Sequence, residues 1–249
     1  MDLGCGSGEL TVEIGKVVGG NDLYGIEIAE DYARLSQSKG IKCCRADLNK
    51  PFPIKDESFD VVIANQVIEH IYQTDLFVRE IYRVLKFGGV TIISTPNLAE
   101  PTNIISLIMG FHPPTIFASD EFYFLGFPFH KNYKMRRDLV HPGHLRAFVP
   151  RSLKDLFEAH GFKVEKIIGV GHYFLPLLIS NCLSKITPTY SISLLIREFV
   201  GGHRVDFSPR LILFYAGRAS GPLLMRGIGR QASQGSPMGR RRPMSLLQV

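Results

Sequence analysis

The chain has 249 residues, of which 45% are apolar and 21% charged. This is the composition of an ordinary globular protein that can bury one good core with some appendage. Its four cysteines form no C-x-x-C pair, which argues against a metal knuckle or a disulfide framework and favours a reduced, cytoplasmic setting.

The net charge of +6 has its origin in residues 218–249, which hold six arginines and no acid, so the rest of the chain is neutral. A basic balance confined to a tail gives little reason to expect nucleic-acid binding by the folded part. The tail is rich in Gly, Ser, Pro and Arg without clear periodicity, and we expect it to be disordered.

A glycine-rich segment opens the chain, reading Asp2-Leu3-Gly4-Cys5-Gly6-Ser7-Gly8, and a helix is predicted over Glu9 to Val18. Three glycines in five residues permit positive φ angles and a close approach of a ligand to the backbone at a helix N-terminus. The alternative is a plain flexible loop. Glu9 stands where the third glycine of G-x-G-x-x-G would fall, which disfavours a nicotinamide-dinucleotide site.

Only Met1 to Leu3 precede this turn, although a doubly wound fold places a central buried strand there. We therefore expect a gap in the middle of the sheet, with a chain that is a fragment or has its true start upstream. No signal peptide is expected, because residue 1 leads directly into the turn.

Two acidic residues lie at or just after the ends of the next predicted strands. Asp22 to Ile28 reads as the second strand and contains Glu27, which lies at about the interval at which such folds place an acid on a ribose. After a helix over residues 29–39, Ile41 to Ala46 reads as the third strand and leads into Asp47. The alternative interpretations are that Glu27 is a surface residue at a strand end and that Asp47 only forms a turn.

The alternation of strands and helices continues to residue 97. Ser58 to Asn65 has the continuous apolar centre of a parallel strand covered on both faces, and Gln66 follows at its carboxyl end. A helix is predicted over Leu76 to Leu85, ended by residues 86–89, and a fifth strand over Val90 to Thr95. The pattern predicts an α/β fold with a doubly wound, mostly parallel sheet.

Residues 98–149, here called the cap segment, interrupt this alternation with many aromatic and several basic side chains. Long insertions of this kind often serve as lids, and we expect a cap over the ligand site or, equally, a helical appendage. Beyond it we predict a helix over Pro150 to His160, strands over Phe162 to Val170 and Arg210 to Ala216, and a packed helix pair, not a membrane span, over 172–196.

Three motifs in this order resemble class I S-adenosylmethionine-dependent methyltransferases of the ubiquinone/menaquinone-biosynthesis type: G-x-G-x-G at Gly4 to Gly8, V-x-E-H at Val67 to His70, and H-L-R-A-F-V-P at His144 to Pro150. The resemblance implies a Rossmann-like methyltransferase domain over residues 1–217, with an antiparallel seventh strand beside the sixth. Val149 replaces the family's Thr, so the following helix lacks one possible N-terminal cap.

The resemblance implies S-adenosyl-L-methionine as cofactor. The glycines would admit the methionine end, Asp2 would orient the turn or contact the amino group, and Glu27 would hold the ribose. Asp47 would accept the adenine amine. The complete expected set is Asp2, Gly4, Cys5, Gly6, Gly8, Glu27, Ile28, Asp47, Leu48, Asn65 and Gln66.

His144 is the candidate base that takes the proton of an oxygen nucleophile, with ordering of its loop as the alternative role. In some resembled enzymes acids and a His at i, i+3 and i+4 hold a divalent metal. Gln66 removes one of those carboxylates here, so no metal is expected. The acceptor would be a small molecule, aromatic, isoprenoid-like or phosphorylated, with peripheral membrane contact possible and the oligomeric state open.

Two other classes stay open at this point. One is a non-catalytic methyltransferase-fold scaffold or binding subunit, or an inactive fragment, which the short first strand favours. The other is a different enzyme on the same fold, such as an aminopropyl transferase. Asn65-Gln66-Val67 lacks the acid-rich acceptor pocket that this second class requires.

Overall fold

A computed structural model of the chain describes residues 1–20, 22–119, 122, 125–126, 143–170 and 211–218. The first half contains β1 (Asp2–Leu3), α1 (Glu9–Val18), β2 (Tyr24–Glu27), α2 (Glu30–Ser38), β3 (Lys42–Arg45) and β4 (Phe59–Asn65). A 3-10 helix (Ile68–His70), α3 (Thr74–Val84), β5 (Leu85–Pro96) and α4 (Pro101–Ile108) follow. The described chain ends with α5 (Pro150–Ala159), β6 (Phe162–Val170) and β7 (Leu211–Arg218).

The strands form one seven-stranded sheet in the order β3-β2-β1-β4-β5-β7-β6. The pairs on the β3 side are parallel, whereas β7 lies antiparallel between β5 and β6. This confirms the predicted α/β class, the mostly parallel sheet and the antiparallel last strand.

Both faces of the sheet are covered. Because side chains alternate along a strand, Val62 and Ala64 of β4 enter the larger core, which includes Phe77 of α3 and Phe157 of α5. Ile63 points to the other face and packs with Ile14 of α1 and Ile92 of β5. The apolar run of β4 is continuous because both faces of this strand are covered, as the sequence suggested.

The start of β5 differs from the prediction. We expected α3 to run to Leu85 and residues 86–89 to end it, but α3 ends at Val84 and Leu85 begins the strand. Leu85 pairs with Phe59 of β4, so a tertiary contact decides the boundary. Gly88 adopts φ +74°, which lets the strand bend where a helix stop was expected.

Strand β1 has two residues and pairs with β2 on one side and β4 on the other. The amino group of Met1 donates to the Val61 carbonyl at 2.8 Å. A cleft of about 150 Å³ lies at the start of this strand, between Tyr24 of β2 and residues 59–61 of β4. At Asp2 and Leu3 the sheet is therefore continuous from β2 through β1 to β4.

Some predicted features lie outside the described residues. These are the tail beyond Arg218, the helix pair over 172–196, and most of the aromatic and basic residues of the cap segment between 120 and 142. In the described part of the chain, none of the helices has the length and apolar character needed to cross a bilayer.

Candidate active site

The carboxyl ends of β3, β2, β1 and β4 lie side by side at one edge of the sheet. Glu27 ends β2, the glycine turn follows β1, and Asn65 ends β4. Asp47 comes two residues after β3. Ligands of open α/β sheets bind at this edge, so the fold places the predicted side chains on the expected side.

The glycine turn has the backbone that its sequence predicts. Gly4, Gly6 and Gly8 all have positive φ angles, of 70°, 53° and 82°. A Cβ on Gly4 would lie 2.8 Å from Val67, and one on Gly8 would lie 2.4 Å from Ile41, so these two glycines are required by packing. A Cβ on Gly6 would meet no atom within 4 Å, so Gly6 faces open space with room for a ligand.

Glu27 is tied to the glycine turn through its carboxylate. Its Oε2 accepts the Gly6 N–H at 2.9 Å, and its Oε1 accepts the Ala29 N–H at 2.9 Å. The residue is 6% exposed. Each carboxylate oxygen has a further lone pair, so Glu27 can hold the turn and still accept ligand hydroxyls.

Asp2 lies beneath the turn and contacts the first helix. The Thr11 hydroxyl donates to its Oδ2 at 2.6 Å. Burial raises the pKa of Asp2 to about 6, opposed by the Thr11 hydrogen bond and by the Met1 amino group. The contact joins β1 to α1, the two elements that flank the glycine turn, and the roles predicted for Asp2 towards the turn and the cofactor stay predictions. Thr11 itself was not predicted, because nothing in its local sequence marks it.

The other predicted residues around the turn and β3 have different surroundings. Cys5 is buried with its Sγ 3.6 Å from that of Cys43, so its side chain points into the protein. Ile28 is 56% exposed, and Leu48 belongs to the core. Asp47 Oδ1 accepts the Asn49 N–H at 2.9 Å, the turn contact that the alternative interpretation expected, while its Oδ2 makes no hydrogen bond with the described residues.

The side chains of Asn65 and Gln66 both form hydrogen bonds with Ser94 of β5. The hydroxyl of Ser94, the register partner of Asn65, donates to Asn65 Oδ1. The same hydroxyl accepts from Gln66 Nε2 at 3.1 Å. Gln66 has φ +56°, an uncommon left-handed conformation for a residue other than glycine. Such strained backbone clusters at ligand sites, and the assignment of Asn65 and Gln66 to the methionyl side stays a prediction.

Glu69 is a buried carboxylate beyond β4. It is 1% exposed, and its Oε2 accepts the Thr95 hydroxyl at 3.0 Å. Its Oε1 has no hydrogen-bond partner among the described residues. Burial raises the pKa of Glu69 to about 7, only partly offset by hydrogen bonds from the backbone and from Thr95.

His144 is brought next to Glu69 by backbone hydrogen bonds. The N–H groups of Leu145 and Arg146 donate to the Glu69 carbonyl at 2.8 and 3.0 Å, which holds the end of the cap segment against the 3-10 helix. The rings of His144 and His70 are 5.0 Å apart, edge to face. One ligand atom from each of Glu69, His70 and His144 lies within 4.8 Å of the others.

The His144 ring is oriented by Thr115, another residue that the sequence did not single out. His144 Nδ1 lies 2.6 Å from the Thr115 carbonyl. A carbonyl only accepts, so Nδ1 carries the hydrogen and Nε2 keeps the lone pair of the neutral ring. No metal was expected because Gln66 replaces a carboxylate, and the structure brings a third possible donor from 74 residues beyond His70. That expectation stays a prediction.

Comparisons with known proteins find methyltransferases among the relatives of this chain. A family profile described as a methyltransferase domain matches residues 1–93. The demethylmenaquinone methyltransferase of Lactobacillus johnsonii is 31% identical over 177 residues, which cover 66% of this chain and 67% of that protein. The mitochondrial ubiquinone biosynthesis O-methyltransferase of Rattus norvegicus is 28% identical over 119 residues, or 44% of this chain and 34% of the relative.

Solved methyltransferase structures share the fold of this chain. A solved S-adenosylmethionine-dependent methyltransferase from Mesorhizobium loti superposes with a TM-score of 0.52 at 19% identity, covering 87% of this chain and 89% of that one. The chain spans between about a third and two thirds of the length of the curated relatives it matches. The chain belongs to the S-adenosylmethionine-dependent methyltransferase family.

Proposed function

We propose that the chain transfers a methyl group from S-adenosyl-L-methionine to a small-molecule acceptor, at an oxygen atom. The observation that carries this proposal is the link between Glu27 and Gly6: a buried carboxylate is bonded to the one turn glycine that faces open space. A ribose and a methionine tail need these two features side by side, an acceptor for hydroxyls and a backbone that can be approached closely.

The residues present fit this cofactor. The open space at Gly6 leaves room for the methionine end, and Glu27 retains lone pairs for the ribose hydroxyls. Asp47 has one carboxylate oxygen that is not used by its own turn and can accept the adenine amine. Asn65 and Gln66, held on Ser94, would border the methionyl side.

When bound, S-adenosylmethionine supplies an activated methyl group, because its sulfonium is already a good leaving group. The task left to the protein is to position the acceptor in line and to remove its proton. As the acceptor oxygen forms a bond to the methyl carbon, the carbon–sulfur bond breaks, the sulfur keeps the electron pair, and the oxygen loses its proton.

His144 is the residue that we propose takes this proton. With Nδ1–H donated to the Thr115 carbonyl, the lone pair of Nε2 is available for proton transfer. The neighbouring ring of Phe117, 5.5 Å from His144, gives this part of the site an apolar wall suited to an aromatic or isoprenoid-like acceptor. The names of the relatives, which act in ubiquinone and menaquinone biosynthesis, support a small acceptor of this kind.

The experiment is a calorimetric titration of the chain with S-adenosylhomocysteine. We expect micromolar binding, about −8 kcal/mol. Gly6→Ala would place a methyl group in the open space at the turn and should weaken binding at least tenfold. Gly19→Ala is the matched control, because Gly19 also has positive φ and open space at its Cβ but lies at the far end of α1.

Both variants carry the same backbone penalty, so a loss of affinity in Gly6→Ala alone locates the cofactor. If the wild-type chain is folded by circular dichroism and does not bind, the scaffold alternative replaces the enzyme proposal. Equal affinity for the two variants would contradict the placement of the cofactor at Gly6.

A further inference from the structure

We propose that Asn103 is a positioning residue, which determines the nitrogen of the His144 ring that carries the hydrogen. Asn103 lies on α4 and acts through Thr115, whose carbonyl oxygen contacts the ring. The hydrogen bonds among these three residues are present without any ligand. Their consequence for proton transfer rests on the proposed function, in which His144 is the base.

The burial of Asn103 is unusual for the helix in which it stands. Its side chain is 0% exposed, whereas the apolar side chains of the same helix are exposed, namely Ile104, Ile105, Leu107 and Ile108. A buried amide costs free energy unless it is hydrogen-bonded, and an aliphatic side chain at this position would carry no such cost. The hydrogen bonds of the amide, more than its volume, therefore account for an asparagine here.

Both ends of the amide group are bonded to Thr115. Asn103 Nδ2 donates to the Thr115 hydroxyl at 2.7 Å, and Asn103 Oδ1 accepts the Thr115 N–H at 3.4 Å. Nδ2 also lies 3.2 Å from the Asn97 carbonyl and 3.1 Å from the Leu98 carbonyl. These bonds tie Thr115 to the end of β5 and fix the orientation of its backbone as well as its position.

The end of β5 also holds the part of the chain that carries His144. The Leu98 N–H donates to the Phe148 carbonyl at 2.8 Å, and Asn97 forms an isolated parallel bridge with Phe148. Phe148 lies four residues after His144. Thr115 and His144 are therefore both anchored on the same strand end, so the distance between carbonyl and ring depends on short connections to one place.

The contact between Thr115 and His144 determines the tautomer of the ring. The Thr115 carbonyl lies 2.6 Å from His144 Nδ1 and can only accept, so Nδ1 carries the hydrogen of the neutral ring. In the other tautomer the hydrogen lies on Nε2, which then has no lone pair to accept a proton. Loss of the bonds between Asn103 and Thr115 should release the carbonyl and let His144 adopt both forms.

The test uses nitrogen-15 spectra of the imidazole rings in the full chain at about pH 8.5, where a histidine of ordinary pKa is neutral. These spectra distinguish a hydrogen on Nδ1 from one on Nε2. We expect His144 of the wild type to carry it on Nδ1. Asn103→Leu removes every hydrogen bond of the amide, and Thr115→Val removes the hydroxyl but keeps the carbonyl. Both should give a mixture of the two tautomers, and Thr115→Ser, which keeps the hydroxyl, should restore the wild-type spectrum.

Two controls accompany these variants. Thr102→Val makes the same chemical change as Thr115→Val on α4, but the Thr102 hydroxyl donates to Glu100 and not to this network. His160 is the control within each spectrum, because its Nδ1 lies 2.8 Å from the carbonyl of Leu156, in a contact of the same kind inside α5. Thr102→Val should leave His144 unchanged, and His160 should keep one spectrum in all the proteins.

The proposal would be overturned if His144 kept its hydrogen on Nδ1 alone in both Asn103→Leu and Thr115→Val. A hydrogen on Nε2 in the wild type, or an equal change in Thr102→Val, would also contradict it. Should Asn103→Leu fail to fold by circular dichroism, the Thr115 variants decide the matter, because Asn103 is intact in them. The spectra are read without cofactor, so an S-adenosylhomocysteine titration of the wild type tests the proposed function separately.

Discussion

The carboxylate of Glu27 and the backbone N–H of Gly6 are joined by a hydrogen bond of 2.9 Å, although the residues are 21 positions apart. This bond couples the end of β2 to the turn after β1. The same carboxylate also accepts the Ala29 N–H, so it holds the entry to α2. Cofactor affinity and the order of both loops should therefore depend on one side chain.

Glu27→Gln should weaken S-adenosylhomocysteine binding by at least tenfold, measured by calorimetry. The amide replaces one acceptor oxygen with an NH₂ group, which sets a donor against a backbone donor and removes a charge-assisted bond. Glu30→Gln is the control, because among the described residues Glu30 pairs with the exposed Arg34 and Arg45. Unchanged affinity in Glu27→Gln would contradict the ribose assignment.

The stability of the fold should depend on pH through Asp2. Burial raises its folded-state pKa to about 6, above the ordinary value of 3.8. The Asp2 carboxyl therefore binds its proton more tightly in the folded chain than in the unfolded chain. Ionisation of Asp2 lowers the free energy of unfolding: the loss is absent below pH 4, grows between pH 4 and 6, and is complete above pH 6. Two pKa units correspond to about 3 kcal/mol.

Asp2→Asn removes this titration while leaving an oxygen to accept from Thr11. The free energy of unfolding of the variant, minus that of the wild type, should rise by up to about 3 kcal/mol between pH 4 and pH 7. The Met1 amino group and Glu27, the charged groups that act on Asp2, are present in both proteins. Parallel pH profiles from urea denaturation would show that Asp2 keeps its ordinary pKa.

Arg83→Met should destabilise the chain by about 3 kcal/mol, because it leaves the largely buried carboxylate of Glu80 without its ion-pair partner. Arg83 donates to both oxygens of Glu80, at 2.9 and 2.6 Å, and the Glu80 side chain is 10% exposed. Lys86→Met removes a pair with Asp60 in which both side chains are exposed, and should cost less than about 1 kcal/mol. The free energies of unfolding of the two variants are compared by urea denaturation, with equal m values. Similar losses of free energy in Arg83→Met and Lys86→Met would contradict the difference between a buried and an exposed ion pair.

Val149→Thr should raise the free energy of unfolding by about 1 kcal/mol. Val149 is the N-cap of α5 with φ −107° and ψ 160°, which is suited to a capping hydroxyl, and it makes no side-chain cap. The other half of a capping box is already present, since Ser152 Oγ accepts the Val149 N–H at 3.1 Å. Val149→Ala, which adds no hydroxyl, should show no gain in a thermal unfolding series.

Local patterns predicted the elements whose boundaries have local causes. Helix α1 begins and ends at Glu9 and Val18 as predicted, because a glycine stands at each end with the positive φ that only glycine adopts easily. The start of β5 was missed, because Leu85 is placed by its pairing with Phe59. A contact between residues far apart in the chain outweighed the local stop signal there.

The site shows the same division. Glu27, Asp47 and Asn65 lie at the predicted edge of the sheet, since each stands at or just after the end of a strand. The proximity of His144 to Glu69 was not predictable, because it depends on backbone bonds across the end of the cap segment. Ser94 and Thr115 were also missed, since their roles arise only from strand register and from the position of a carbonyl.

The insertion of β7 between β5 and β6 has a consequence for biosynthesis. As the ribosome releases the chain, β1 to β5 can assemble in order, but β6 lacks its neighbour until residues 211–218 emerge. At roughly 5–20 residues per second, this leaves a nascent chain with an open sheet edge for several seconds. During that interval β5 and β6 offer unpaired backbone to other chains, and co-translational chaperones have a defined segment to protect.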